Sequence, residues 1–144
     1  MPRMKSAVAR TVHPSDAVAV TAQGRRTIRE WQSEMHAIAR DKGWWNNPKT
    51  GRRINPNTRI AETIALIHSE ASEALEEFRE GRMDLWYSES KIGPKPEGFG
   101  VELADIVIRA MDTAESLGID LEALMMLKAD YNARRPFRHG GKRA

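Results

Sequence analysis

Ile64-Ala-Leu-Ile-His-Ser-Glu70-Ala-Ser-Glu73-Ala-Leu-Glu-Glu-Phe78 and Val101-Glu102-Leu-Ala-Asp105-Ile-Val-Ile-Arg109 are the two stretches on which the fold turns. Apolar residues recur three and four apart in both, the spacing of an amphipathic helix, and each helix carries a carboxylate doublet. Residues three apart share one side of a helix, so Glu70 with Glu73, and Glu102 with Asp105, each point two oxygen ligands the same way. Two such helices side by side make a four-carboxylate cage. Clustered anions repel one another at low dielectric, so a fold that gathers them calls for a cation. Hard oxygen ligands with no Cys or His beside them select Mg²⁺, with Mn²⁺ as the substitute.

Working outward, Ile28, Trp31, Met35 and Ile38 mark a first helix over residues 26–42, stopped by Gly43. Residues 44–56 are rich in breakers and read as a loop. Asn57 is the expected N-cap of the second helix, which buries Ile60, Ile64, Ile67, Ala71, Ala74, Leu75 and Phe78 and ends before Gly81. Residues 81–99 read as a connector. The third helix covers 99–117, and Asp120 caps a fourth that runs from Leu121 to about Arg134. Lys128, Asn132 and Arg135 fall on the same wheel face as Leu121, Leu124 and Met125, whereas Arg134 points elsewhere. With no convincing strand, the expectation is an all-α four-helix bundle.

At 144 residues the chain suits one domain, expected over 25–144, preceded by a flexible extension over 1–24. The absence of Cys excludes disulfides and thiolate metal sites, and the lack of a secretion signal or of any apolar run near the ~20 residues of a membrane span points to a cytoplasmic protein. Charge is segregated: residues 1–59 hold 12 basic and 4 acidic groups, residues 60–127 hold 5 and 15, and residues 128–144 hold 6 and 1. An acidic middle argues against a nucleic-acid duplex across the surface and favours a small phosphorylated ligand held between metal and cations.

The bland readings differ from residue to residue. Glu76, Glu80 and Glu89 suit a solvated helix face, and His36 and His68 suit structural roles. His139 has no identifiable partner. Glu102 and Asp105 stand among apolar residues, where an uncompensated charge is costly, so a site is the better reading. Arg109 is either the i, i+4 partner of Asp105 or a substrate contact, and Asp112 either an extra metal-side group or one half of a salt bridge. Trp44 and Trp45 are core residues or base-stacking groups. There is no Walker phosphate loop, no H-E-x-x-H and no nucleophile elbow, which leaves metal-activated water as the chemistry.

These motifs resemble the MazG-like all-α nucleoside triphosphate pyrophosphohydrolases of bacteria and phages, whose hallmark is a helical E-x-x-E followed by E-x-x-D. Here the hallmark is Glu70-Ala-Ser-Glu73 and Glu102-Leu-Ala-Asp105, and the resemblance extends to Lys42-Gly-Trp-Trp45 and to the ending Lys128–Lys142. It implies an enzyme that hydrolyses a (deoxy)nucleoside triphosphate to the monophosphate and pyrophosphate as a homodimer or homotetramer. In that reading Mg²⁺ sits on Glu70, Glu73, Glu102 and Asp105. Glu73 or Glu77 takes the proton of the attacking water, and Lys128, Asn132, Arg135, Arg109, Trp44 and Trp45 bind substrate. The 28 residues between Glu73 and Glu102 are at the long end for the family, which bears on the base pocket. Alternative readings are cleavage of a dinucleotide or an alarmone, or a non-catalytic helical protein associated with nucleic acid.

Overall fold

In the computed structural model, which describes residues 26–137, the helical class expected from the sequence holds, with one small sheet added. The elements are α1 (Ile28–Asp41), a 3-10 turn (Pro56–Thr58), α2 (Ile60–Arg79), β1 (Trp86–Ser90), β2 (Gly93–Glu97), α3 (Phe99–Ser116) and α4 (Leu121–Ala133). Residues 1–24 and the tail that contains His139 lie outside the described residues. Among those described, no helix is long and apolar enough to cross a membrane. The chain divides into two compact units, one of Arg59–Ala110 and one of Arg26–Thr58 with 111–137.

The first unit holds α2, the hairpin and the first part of α3. Asn57 lies in the 3-10 turn rather than at the helix start, and Arg59 occupies the cap without a side-chain cap bond. The hairpin corrects the reading of 81–99 as an irregular connector: β1 and β2 pair antiparallel, Trp86 opposite Glu97 and Ser90 opposite Gly93. Two prolines in five residues disfavour a strand. Pro94 and Pro96 are two apart, so they fall together on the edge that no strand pairs, where a missing N–H costs nothing. Gly98 then makes the turn into α3 with φ 117°, and a Cβ there would stand 2.4 Å from the Asp84 carbonyl oxygen. The Gly98 carbonyl accepts from Val101 N and Glu102 N, which starts α3 one turn ahead of its acidic doublet.

The second unit holds α1, the loop that follows it, the end of α3, and α4. A capping box opens α1: Thr27 Oγ1 accepts from Glu30 N, and Glu30 Oε2 accepts from Thr27 N. Its buried residues are Gln32 and His36, whereas Trp31 and Ile38 are exposed, so the buried stripe is not the apolar one expected. Gln32 explains part of this. Its Nε2 donates to Glu115 Oε2 (2.6 Å) and to the Ile119 carbonyl (2.8 Å), and its Oε1 accepts from Leu121 N (3.2 Å). One amide thereby satisfies the helix ends around Gly118, as buried polar groups require. Asp120 caps α4 as expected, accepting from Ala123 N.

Apolar side chains gather outside as much as inside. On α2 the buried positions are Thr63, Glu70, Ala74 and Glu77, while Ile60, Ile64, Leu75 and Phe78 are exposed. On α4 none is buried, and Leu124, Met125, Met126, Leu127 and Tyr131 are exposed. Among the described residues, the expected inward faces of these two helices are therefore largely exposed.

Candidate metal centre

Three carboxylates meet inside the first unit. Glu70 comes from the middle of α2, Glu102 from the first turn of α3 and Asp105 from one turn later, and one oxygen of each lies within 4.8 Å of the others. Glu70 is 5% exposed and Glu102 6%, so the oxygens are largely shielded from water. Burial, followed by the charges of Glu73, Asp105 and Glu70, pushes the Glu102 carboxyl above its ordinary value. Burial and then Glu70 raise Asp105 as well, against the opposing pull of Arg109 and Lys95. This is the signature of anions held together with too little compensation.

Among the described residues the donor set is all oxygen and all carboxylate, with no nitrogen or sulfur donor, which suits a hard divalent cation. Ligand oxygens around such an ion at ~2.1–2.5 Å are themselves roughly 3–5 Å apart, so a span of 4.8 Å fits the group. Glu102 also stands where the helix N-terminus favours negative charge.

The other expected site residues distribute unevenly. Glu73 is exposed and accepts from Ser69 Oγ (3.3 Å); its oxygens are not among the three that converge, so the expected four-ligand cage is a cluster of three, with Glu73 close enough to raise both Glu102 and Asp105. Arg109 does not simply pair along its own helix with Asp105. Its Nε donates across to Glu70, whose side chain is 7% exposed.

Glu77 is a correction. Its carboxylate accepts from Arg82 Nε (2.9 and 3.0 Å) and from Trp86 Nε1 (3.0 Å), and the Arg82 guanidinium holds it below the usual carboxylate range. A carboxylate engaged in this way and lowered in basicity is poorly suited to take a proton from water. It ties α2 to the hairpin instead.

Trp45 is a second correction. The ring is 3% exposed, Nε1 donates to Asp112 (2.9 Å), and the ring meets His36 edge-on at 5.5 Å, which leaves no open face for a base. Asp112 also faces His36 Nδ1 at 2.6 Å, so it belongs to a His36–Asp112–Trp45 network within the second unit. Trp44 is 70% exposed.

Lys128 and Arg135 converge on one ring, Lys128 Nζ 5.0 Å and Arg135 Cζ 5.7 Å from the Tyr131 centroid, with Asn132 exposed beside them. Arg134 turns to Asp130 (2.6 Å). The two neighbouring arginines therefore diverge, as their wheel positions imply.

Lys95 escaped the sequence reading. It sits on β2, pairs with Glu97 (2.9 Å), and is raised by Glu97, then by Glu102 and Asp105, which places its charge in the field of the cluster. Glu97 is further held by Ser88 Oγ (2.9 Å) across the hairpin. Nothing short of the strand register could have found this residue, since a lysine between two prolines reads as part of a breaker.

No family model, curated protein or solved structure matches the chain significantly.

Proposed function

We propose that this protein is a metal-dependent nucleoside triphosphate pyrophosphohydrolase of the MazG-like kind. The observation that carries the reading is the convergence from two helices of buried Glu70 and Glu102 with half-buried Asp105, insufficiently compensated and, among the described residues, free of soft donors. Three of the four carboxylates in the two resemblance motifs are the ones that meet.

Mg²⁺, when bound by these three carboxylates, would neutralise polyphosphate charge and make a water molecule more acidic. The chain supplies the rest. Glu73, exposed and near enough to raise Glu102 and Asp105, would accept the proton of the attacking water. Lys95 and Arg109 supply positive charge beside the cluster, with Arg able to grip two phosphate oxygens at once. Water adds to a phosphorus atom, a phosphoanhydride bond breaks, and the products are the nucleoside monophosphate, pyrophosphate and a proton.

The protein also acts as a homodimer or homotetramer in this reading. The exposed rows Ile60, Ile64, Leu75 and Phe78 on α2, and Leu124 to Leu127 on α4, support it, since apolar surface of that extent is usually covered by a partner.

A panel of nucleoside triphosphates, dinucleotides and alarmones, with Mg²⁺ and with chelator, tests the proposal. Pyrophosphate release from triphosphates that stops with chelator and returns with Mg²⁺ or Mn²⁺ is the expected result. Orthophosphate release or cleavage of another pyrophosphate would move the substrate. Turnover untouched by chelator would overturn the metal reading. Salt-sensitive DNA binding with no turnover would favour a nucleic-acid-associated role.

A further inference from the structure

Within the first unit the centre carries its own cation. Arg109 Nε donates to Glu70, the member contributed by α2, while Asp105, one turn before Arg109 on α3, feels the same positive charge. Glu70 is nearly sealed, its side chain 7% exposed, whereas the Arg109 side chain is 41% exposed. A guanidinium and a dication on one sealed carboxylate repel each other strongly, because little water stands between them. The carboxylate cannot leave, but the arginine has an open side.

We infer that Arg109 is a displaceable counter-cation of the metal centre: it pairs with Glu70 in the metal-free protein, leaves Glu70 when a divalent ion enters, and is then available to the polyphosphate that accompanies the ion. This inference rests on the metal-site reading above. Its consequence is a linkage. Bare metal must displace Arg109 without recompense, whereas metal arriving with a polyphosphate offers the guanidinium new oxygen partners, so each ligand strengthens the binding of the other. Arg109 thus makes the centre load with its anionic ligand rather than with stray metal.

Two measurements test it. In Mn²⁺ titrations followed by the electron paramagnetic resonance of the free ion, Arg109→Gln should bind Mn²⁺ roughly tenfold more tightly than wild type, the size expected for removing one nearby positive charge. Arg109→Lys, which keeps the charge, should stay within about threefold of wild type. Adding an α,β-imido nucleoside triphosphate, whose P–N–P bridge resists cleavage, should raise Mn²⁺ affinity by about tenfold more in wild type than in Arg109→Gln, after correction for chelation in solution. In the wild-type protein, the Arg109 Nε–H resonance should shift toward that of an unpaired arginine as diamagnetic Mg²⁺ saturates the site, a readout that needs no variant to fold. If wild type binds Mn²⁺ but Arg109→Gln binds it no more tightly, or if the resonance is unmoved at saturation, the inference falls and the metal site stands. If neither protein binds Mn²⁺, the metal reading falls and takes this inference with it.

Discussion

Glu70 and Glu77 sit on one face of α2, two turns apart, 5% and 8% exposed, and their surroundings are opposite. Glu77 meets a guanidinium and an indole N–H, so its charge is balanced and its carboxyl is lowered. Among the described residues, Glu70 meets two more carboxylates and the Arg109 guanidinium, and those two carboxylates are raised. A buried anion that the chain satisfies by itself is a joint; a cluster of anions that the described residues leave short of positive charge is a candidate for a ligand. Burial alone does not distinguish them.

The largest expected effect breaks the comparison at the level of turnover. Glu70→Gln and Asp105→Asn should each lower kcat/KM by several kcal/mol of lost transition-state stabilisation, roughly a hundred- to thousandfold. Glu77→Gln, assayed where it remains folded, should stay within about threefold of wild type. Equal losses at Glu70 and Glu77 would show that the distinction between site and joint is wrong.

Stability should respond the other way round. Glu77→Gln removes the charge that satisfies Arg82 while leaving the shape, and should cost about 1–3 kcal/mol in urea denaturation. Glu102→Gln removes a repulsive charge from the centre and should raise the Tm of the metal-free protein by a few degrees. A fall in that Tm would mean that Glu102 is satisfied in a way its neighbours do not indicate.

The smallest effect is the pH dependence of that gain. A carboxyl raised in the folded state contributes stability that is present below its unfolded pKa and lost as pH rises through the folded one. The stabilisation by Glu102→Gln over wild type should therefore be slight below the ordinary carboxylate value of 4.5 and should grow as pH rises through and above it. Glu77, lowered, behaves in the opposite sense: it contributes stability above its unfolded pKa, and that part is lost on acidification. A pH-independent difference between Glu102→Gln and wild type would sharpen the comparison against us.

Much of the helical framework was legible because its signals are local. Asp120 caps α4 through its own neighbour's N–H, and Gly43, Gly81 and Gly118 follow the ends of α1, α2 and α3 with positive φ, so their marks lie within a turn of the boundary. The acidic doublets were legible as well, since a spacing of three is a property of the helix itself. The misreadings share the opposite property. Glu77 and Glu73 differ by one helical turn and carry the same side chain, yet Arg82 and Trp86, reached only by the turn after Gly81 and the hairpin, take one of them out of service. Trp45 was read beside Trp44, but its indole bonds Asp112, sixty-seven residues along the chain.

By itself, then, the amino-acid sequence placed the four helices to within a turn, and determined that Glu70, Glu73, Glu102 and Asp105 form two one-sided doublets, because backbone sterics and helical periodicity act within a few residues. Only the tertiary structure decided that three of those four converge, that Arg109 crosses to Glu70, that Lys95 stands in the field of the cluster, and that Glu77 is spent on Arg82. Charge compensation depends on distance in space, and residues far apart in the chain acquire that distance only when it folds.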